Sequence, residues 1–167
     1  NDDLLDSSPL GSDYTKPITR LQFCSVAVRL AEALTGKSIT PASANTFTDT
    51  NNAYVLKAYA AGITTGTSAT TFSPSANCNR AQAVTFLWRA KGSPAPTTTS
   101  YTSYTSQLSK FKDSSQIAGW AKESLAFMNA LGLITGTSDT TLSPTNTCTI
   151  EQAVLVAENS VYAHQIG

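Results

Sequence analysis

The amino-acid sequence predicts an all-α protein built from repeated helix–loop–helix units. Three observations support this prediction. Two long segments are copies of each other, the copies carry apolar residues at helical spacing, and three helix-capping sequences stand at equivalent positions. The chain has 167 residues, a length typical of one domain, so the units are expected to form a single domain.

The internal repeat is the clearest feature of the sequence. Residues 62–74 and 132–144 are identical at nine of thirteen positions, and further downstream Cys78 aligns with Cys148. A partial copy near the start aligns residues 18–22 with residues 78–82 and 148–152. We therefore predict one domain over residues 1–167, with a partial repeat at about 1–46, two nearly whole repeats at 47–92 and 111–167, and a polar connector at 93–110.

The first helix of a repeat is best defined in the last copy. Between Ile117 and Leu131, Trp120 and Phe127 fall on one side of a helix together with Leu131, which predicts that this side is apolar. A shorter helix is predicted over residues 53–61. Glycine follows each helix where a left-handed cap would require it.

The loop after each first helix contains a second glycine, Gly66 or Gly136. Glycine at such a position indicates either a positive φ angle or the close approach of another chain or a ligand. Both glycines are therefore candidate binding-site residues.

The second helix of each repeat carries the strongest local signal. Thr19, Asn79 and Thr149 each precede a glutamine by three residues, which is the pattern of a capping box. Such a cap stabilises a helix by roughly 1 kcal/mol. The three helices are expected to run to about residues 34, 90 and 161.

The caps place Arg20 and Arg80 at the first position of their helices. A guanidinium beside free backbone amides and the positive end of the helix dipole forms a compact site for a carboxylate. Alternatively, each arginine pairs with an acidic residue of its own repeat, Asp49 or Asp113. In the last repeat Ile150 replaces the arginine, so a third equivalent anion site is not expected.

Composition argues against several functions. Eleven basic residues balance eleven acidic ones, so net charge gives no reason to expect binding to nucleic acid or to an anionic membrane. Three widely spaced cysteines predict buried free thiols rather than a disulfide framework, and no cofactor or metal site is expected.

The sequence offers little for catalysis, so the chain is not expected to be an enzyme. It has one histidine, and neither a histidine-paired nucleophile nor a metal-ligand cluster is recognisable. Asp49 and Asp113 stand at the starts of repeats, where helix capping is the simpler role for them.

Together, these motifs resemble the S-layer homology domain. The resemblance covers most of residues 47–91 and 111–163 and the end of a first repeat at 17–36. The motifs that carry it are Phe-x-Asp, a helix, Gly-(Ile/Leu)-x-x-Gly, Phe-Ser-Pro, Asn-Arg-Ala-Gln at 79–82 and Phe-Leu-Trp-Arg at 86–89.

The resemblance implies three units around a pseudo-threefold axis and a central helical bundle, with grooves between neighbours. It further implies a secreted, extracellular, non-catalytic module that attaches a larger protein to the cell wall of Gram-positive bacteria. The implied partner is secondary cell-wall polysaccharide carrying a pyruvate ketal, and neither nucleic acid nor a membrane is expected as a partner.

The family's polysaccharide-binding residues carry over position by position. Its Thr-Arg-Ala-Glu segment falls on Thr19 with Arg20 and on Asn79 with Arg80, and its groove tryptophan falls on Trp120. Its loop glycine and opening aspartate fall on the remaining candidates, Gly66, Gly136, Asp49 and Asp113.

Departures from the family pattern leave a second function open. The first repeat lacks its opening helix motif and the last lacks its arginine, so one or two competent grooves are expected rather than three. The alternative is a protein-interaction or scaffold domain that keeps this fold while its grooves have degenerated.

Overall fold

The computed structural model describes residues 10–92 and 104–166, with side chains as far as residue 163. Its main elements are α1 (Arg20–Thr35), α2 (Ala53–Ala60), α3 (Arg80–Ala90), α4 (Gly119–Ala130), α5 (Ile150–Ile166) and two 3₁₀ turns, Leu108–Lys110 and Ser114–Gln116. Within the described ranges the backbone forms isolated β-bridges but no strand, so the predicted all-α class is confirmed for them.

The predicted capping boxes start α1, α3 and α5. The Thr19 hydroxyl accepts a bond from Gln22 N at 3.3 Å, and Asn79 Oδ1 accepts one from Gln82 N at 2.8 Å. In both boxes the glutamine Oε1 accepts the cap residue's own N–H at 3.0 Å. Thr149 forms the same pair of bonds at 3.2 Å each. The sequence therefore located the starts of these helices correctly, although α5 continues beyond the predicted end near residue 161.

The first helices of the two nearly whole repeats, α2 and α4, end as predicted. Gly62 and Gly132 follow them with φ angles of 70° and 69°, a left-handed conformation that favours glycine. The start of α4 is Gly119, two residues later than the apolar pattern suggested.

The predicted apolar side of α4 is wrong. Trp120 and Leu131 are 53% and 54% exposed, whereas the helix buries the side that carries Ala121, Leu125 and Met128. The three residues of the prediction do share a side, but only Phe127 lies against the rest of the protein, where its ring packs near Trp88 and Tyr104. Spacing alone thus identified a stripe along the edge of the buried surface.

A closed ring of backbone hydrogen bonds joins the three cap segments. Ile18 N donates to Cys148 O at 2.9 Å, Cys78 N donates to Ile18 O at 2.9 Å, and Cys148 N donates to Cys78 O at 3.0 Å. The first residue of each following helix donates to a segment before another cap; for example, Arg80 N donates to Asn146 O at 2.9 Å. The N-termini of α1, α3 and α5 are therefore held at one place.

The core lies between the helices that leave this ring. α1 packs against α2, α3 and α5, and α3 also packs against α4 and α5. Phe23, Leu30 and Leu87 are among the fully buried side chains of this core. Cys24, Cys78 and Cys148 are free and buried, which confirms the prediction of packed thiols.

The end of the predicted connector packs against the last repeat. Tyr104 places its ring 4.7 Å from that of Phe127, and Leu108 is buried. Residues 93–103 of the connector, including Tyr101, lie outside the described residues.

Candidate functional site

Arg80 lines a cavity between the second and third repeats. Its Nε donates to Leu142 O and its Nη2 to Thr135 O, both at 3.1 Å. The side chain is partly buried, and this burial lowers the pKa of the guanidinium below its usual value, although arginine remains a cation in proteins. Arg80 is therefore a half-buried positive charge whose two recorded partners are neutral carbonyl groups.

The cavity has a volume of about 310 Å³ and is bounded by α3, α5 and the loop at 132–137. Its walls are mainly apolar. Polar groups come from the guanidinium of Arg80, from two threonines and from two amide side chains. These residues are Thr135, Thr137, Gln152 and Asn159. A few polar groups on a concave apolar surface are typical of small-ligand sites. The larger apolar side chains of the wall are Val84, Leu87, Leu133, Ile134, Leu155 and Val156.

Arg20 occupies the equivalent position in α1 but is only 6% exposed. Its Nε donates to Phe72 O and its Nη2 to Thr65 O, both at 2.8 Å, and its Cζ lies 4.4 Å from the centroid of the Phe72 ring. Arg20 thus forms the same two carbonyl contacts as Arg80, but with shorter bonds and an aromatic ring beneath it.

Neither arginine forms a hydrogen bond with an aspartate. The alternative in which each arginine pairs directly with Asp49 or Asp113 is therefore wrong. Asp49 accepts bonds from Phe72 N at 2.9 Å and Ser73 N at 2.7 Å. Asp113 accepts bonds from Leu142 N at 2.9 Å and Ser143 N at 2.7 Å. Each aspartate therefore fixes the loop segment whose carbonyl the arginine binds.

The predicted helix-capping role of these aspartates is also wrong, because the cap of α2 is Asn52 and α4 begins without a side-chain cap. Bonds from Phe72 N and Ser73 N hold the pKa of the Asp49 carboxyl below its usual value. For Asp113 burial acts in the opposite direction, but the backbone bonds and the nearby Arg80 charge together outweigh it, and the pKa is again lowered. Both carboxylates are therefore stabilised in the charged form by the loops they hold.

Gly66 and Gly136 are required by close approach rather than by positive φ. A Cβ on Gly66 would lie 2.6 Å from Thr71 O and would also meet Ser68 O and the Phe47 ring. Gly136 is crowded in the same way by Ser138, Thr141 and Phe111. The approaching atoms belong to the glycine's own repeat, so the fold alone explains the glycine, and a ligand at this point stays a prediction. Gly136 nevertheless lines the Arg80 cavity.

The remaining predicted site residues occupy separate places. The side chains of Thr19 and Asn79 accept the bonds that cap their helices. Trp120 stands exposed near the start of α4 and is not among the residues that line the Arg80 cavity. The structure thus brings Arg80 and Gly136 together in one cavity, with Asp113 supporting its loop.

Sequence reasoning missed most of the cavity wall. Val84 and Leu87 lie on the same side of α3 as Arg80, and Val156 and Asn159 face them from α5. The spacing of four and seven residues from Arg80 could have identified Val84 and Leu87 as its neighbours. No sequence signal marks Leu142 and Thr135 as partners of Arg80, because they contribute backbone carbonyls.

Two other kinds of site are absent from the described ranges. These ranges contain no group of three or more histidine, cysteine or acidic side chains suited to a metal ion. None of the helices in these ranges combines the length and apolar character needed to cross a membrane.

Comparison with known proteins agrees with the repeat structure. The family model described as S-layer homology domain matches residues 46–84 and 110–154, about half of the chain. Curated proteins yielded no significant match. The two matched segments contain α2 with the start of α3, and α4 with the start of α5. The chain therefore belongs to the S-layer homology domain family, whose members are cell-surface anchoring modules that commonly bind the cell wall.

Proposed function

We propose that this chain is a non-catalytic module that anchors a secreted protein to the cell wall of a Gram-positive bacterium. Its ligand is a secondary cell-wall polysaccharide that carries a pyruvate ketal. The ketal carboxylate binds Arg80 in the cavity between the second and third repeats. The observation that carries this proposal is a half-buried cation, with no carboxylate as hydrogen-bonding partner, in the wall of a mainly apolar cavity.

The chemistry of the cavity suits this ligand. A pyruvate ketal presents one carboxylate beside a methyl group, and a sugar ring presents both hydroxyl groups and apolar C–H faces. Two of the five N–H donors of Arg80 have recorded partners, which leaves donors for a carboxylate. The apolar wall provides contacts for the methyl group, and Gln152 and Asn159 provide amides for sugar hydroxyls.

Other predicted residues fit as supports of the same site. Asp113 binds Leu142 N, and Leu142 O in turn accepts the bond from Arg80 Nε, so Asp113 would hold the arginine in place. The Asn79 cap would fix the helix end from which Arg80 projects. Trp120, which is exposed, would offer a face to a more distant sugar of the polymer.

The whole module is proposed to have a pseudo-threefold arrangement around a central bundle of α1, α3 and α5. The closed ring of bonds among Ile18, Cys78 and Cys148 supports this, because each cap segment repeats the same contact with the next. The mutual packing of α1, α3 and α5 supports it as well.

A sedimentation assay with purified pyruvylated wall polysaccharide tests the proposed function. The wild-type chain should sediment with the polymer, and Arg80→Met should reduce bound protein at least tenfold. Lys37→Met is the matched control, because it removes the same charge from an exposed loop. Mild acid removal of the ketal should release the wild type to the same extent.

The outcome also separates this function from a scaffold role. If Arg80→Met sediments like the wild type, or if polymer without its ketal binds equally well, the arginine–carboxylate mechanism is wrong. If folded wild-type protein binds neither form of the polymer, the scaffold alternative replaces the anchoring proposal.

A further inference from the structure

The cavity at Arg80 has a counterpart at Arg20, and the two can be compared position by position. Ala83 of α3 lines the Arg80 cavity, and the equivalent residue of α1 is Phe23. Val156 of α5 also lines it, and the equivalent residue of α3 is Phe86. At both positions a small side chain beside Arg80 corresponds to a phenylalanine in the first pair of repeats.

The two phenylalanines occupy the space beside Arg20. Their ring centroids are 5.6 Å apart, and Arg20 Cζ lies 5.9 Å from the centroid of Phe86. Phe23 is fully buried and Phe86 is 7% exposed. We name Phe23 and Phe86 the aromatic plug.

A third residue difference lies at the same interface. Asn159 lines the Arg80 cavity, whereas the equivalent residue Arg89 directs its Nη1 towards Ile63 O at 3.5 Å. Ile63 is the counterpart of Leu133, which lines the open cavity. These larger side chains accompany the deeper burial of Arg20.

We infer that the aromatic plug has converted the first inter-repeat site into a structural contact, so that the chain takes one pyruvylated sugar, at Arg80, and holds a latent second site at Arg20. The single-ligand part of this inference rests on the proposed function. Arg20 then serves to bind the first repeat to the second through Phe72 O and Thr65 O. Ala83 and Val156 are the residues that keep the working site open.

The buried thiols allow the plug to be tested without any sugar. Cys148 lines the Arg80 cavity, and Cys78 is its counterpart beside Arg20. Burial raises the pKa of Cys148 to about 11 and that of Cys78 to about 12, so rates should be compared for the same thiol between variants at one pH. The probe is methyl methanethiosulfonate, whose sulfenyl sulfur is attacked by the thiolate to form a mixed disulfide and release methanesulfinate.

Two reciprocal variants exchange the side chains of the two interfaces. Ala83→Phe with Val156→Phe should fill the open cavity and slow labelling of Cys148 at least tenfold, with Cys78 unchanged. Phe23→Ala with Phe86→Val should speed labelling of Cys78 at least tenfold, with Cys148 unchanged. A general loosening of the fold would instead speed the labelling of both thiols together. If the double variant Phe23→Ala with Phe86→Val does not fold, Phe86→Val alone serves in its place. Unaltered rates in folded variants would overturn the plug.

Calorimetric titration with a methyl hexoside carrying a pyruvate ketal then counts the sites. We expect one ligand for the wild type, none for the filled variant and two for the opened variant. Two ligands on the wild type, or one on a folded opened variant, would refute the inference. No binding to the wild type would refute the proposed function and with it the single-ligand statement, while the thiol rates would still decide whether the plug exists.

Discussion

Arg20 and Arg80 provide a matched pair for testing the proposal that the first arginine is structural and the second binds the ligand. Both stand at the first position of a capped helix and donate from the same nitrogens to equivalent carbonyls. Replacing each in turn by methionine removes the same charge from the same helix position. We expect Arg20→Met to lose stability and Arg80→Met to lose binding.

The expected size follows from the contacts. In Arg20→Met the buried Phe72 carbonyl loses its donor, which costs about 1–3 kcal/mol, and the partly buried bond to Thr65 adds about 1 kcal/mol. Loss of the guanidinium over the Phe72 ring adds about 1–2 kcal/mol. The total is roughly 3–6 kcal/mol. In Arg80→Met water can reach the carbonyls that lose their donor, so the cost is about 1 kcal/mol.

Urea unfolding followed by circular dichroism measures this difference. For a slope of about 2 kcal/mol per molar urea, the Arg20→Met midpoint should lie about 1 M or more below that of Arg80→Met. Equal midpoints would refute the assignment, since they would mean that burial and the aromatic contact at Arg20 add nothing. The same two variants enter the sedimentation assay, where only Arg80→Met should lose its affinity by a direct effect on the site.

Three further substitutions test the parts that hold the repeats. Because the pKa of Asp49 is lowered, its carboxylate stabilises the fold above the usual aspartate pKa near 4, and this stabilisation is lost as the pH falls through the pKa of the folded protein. In urea titrations at pH 7 and pH 3, Asp49→Asn should therefore lose less stability on acidification than the wild type. An equal loss would contradict this. Gly66→Ala should lower the free energy of unfolding by about 1–3 kcal/mol, because the new Cβ would meet backbone oxygens. Gly119→Ala is the control, since the space there is open and the change should be neutral or stabilising. Similar thermal midpoints for the two variants would count against the crowding argument. Thr19→Ala should cost about 1 kcal/mol in urea unfolding by removing the cap of α1, with Thr15→Ala as an exposed control, and an unchanged midpoint would show that the cap contributes little.

Local chemistry made much of this protein predictable. The capping boxes at Thr19, Asn79 and Thr149 depend on residues three positions apart, so the starts of three helices could be predicted from sequence alone. Gly62 and Gly132 follow α2 and α4 for an equally local reason, a φ angle that other residues rarely adopt. The duplication of the loop sequence then indicated a repeat protein and the family to which it belongs.

What the sequence could not decide was how each predicted residue is surrounded. Arg20 and Arg80 have the same local pattern, but their surroundings come from the neighbouring repeat, with Phe86 near Arg20 and Val156 in the cavity of Arg80. Asp49 and Asp113 bind loop amides more than twenty residues away, which no local pattern reveals. By itself the sequence determined the helices, the repeat and the position of each arginine. The tertiary structure decided which arginine faces an open cavity, because cavities depend on side-chain volumes brought together from different repeats.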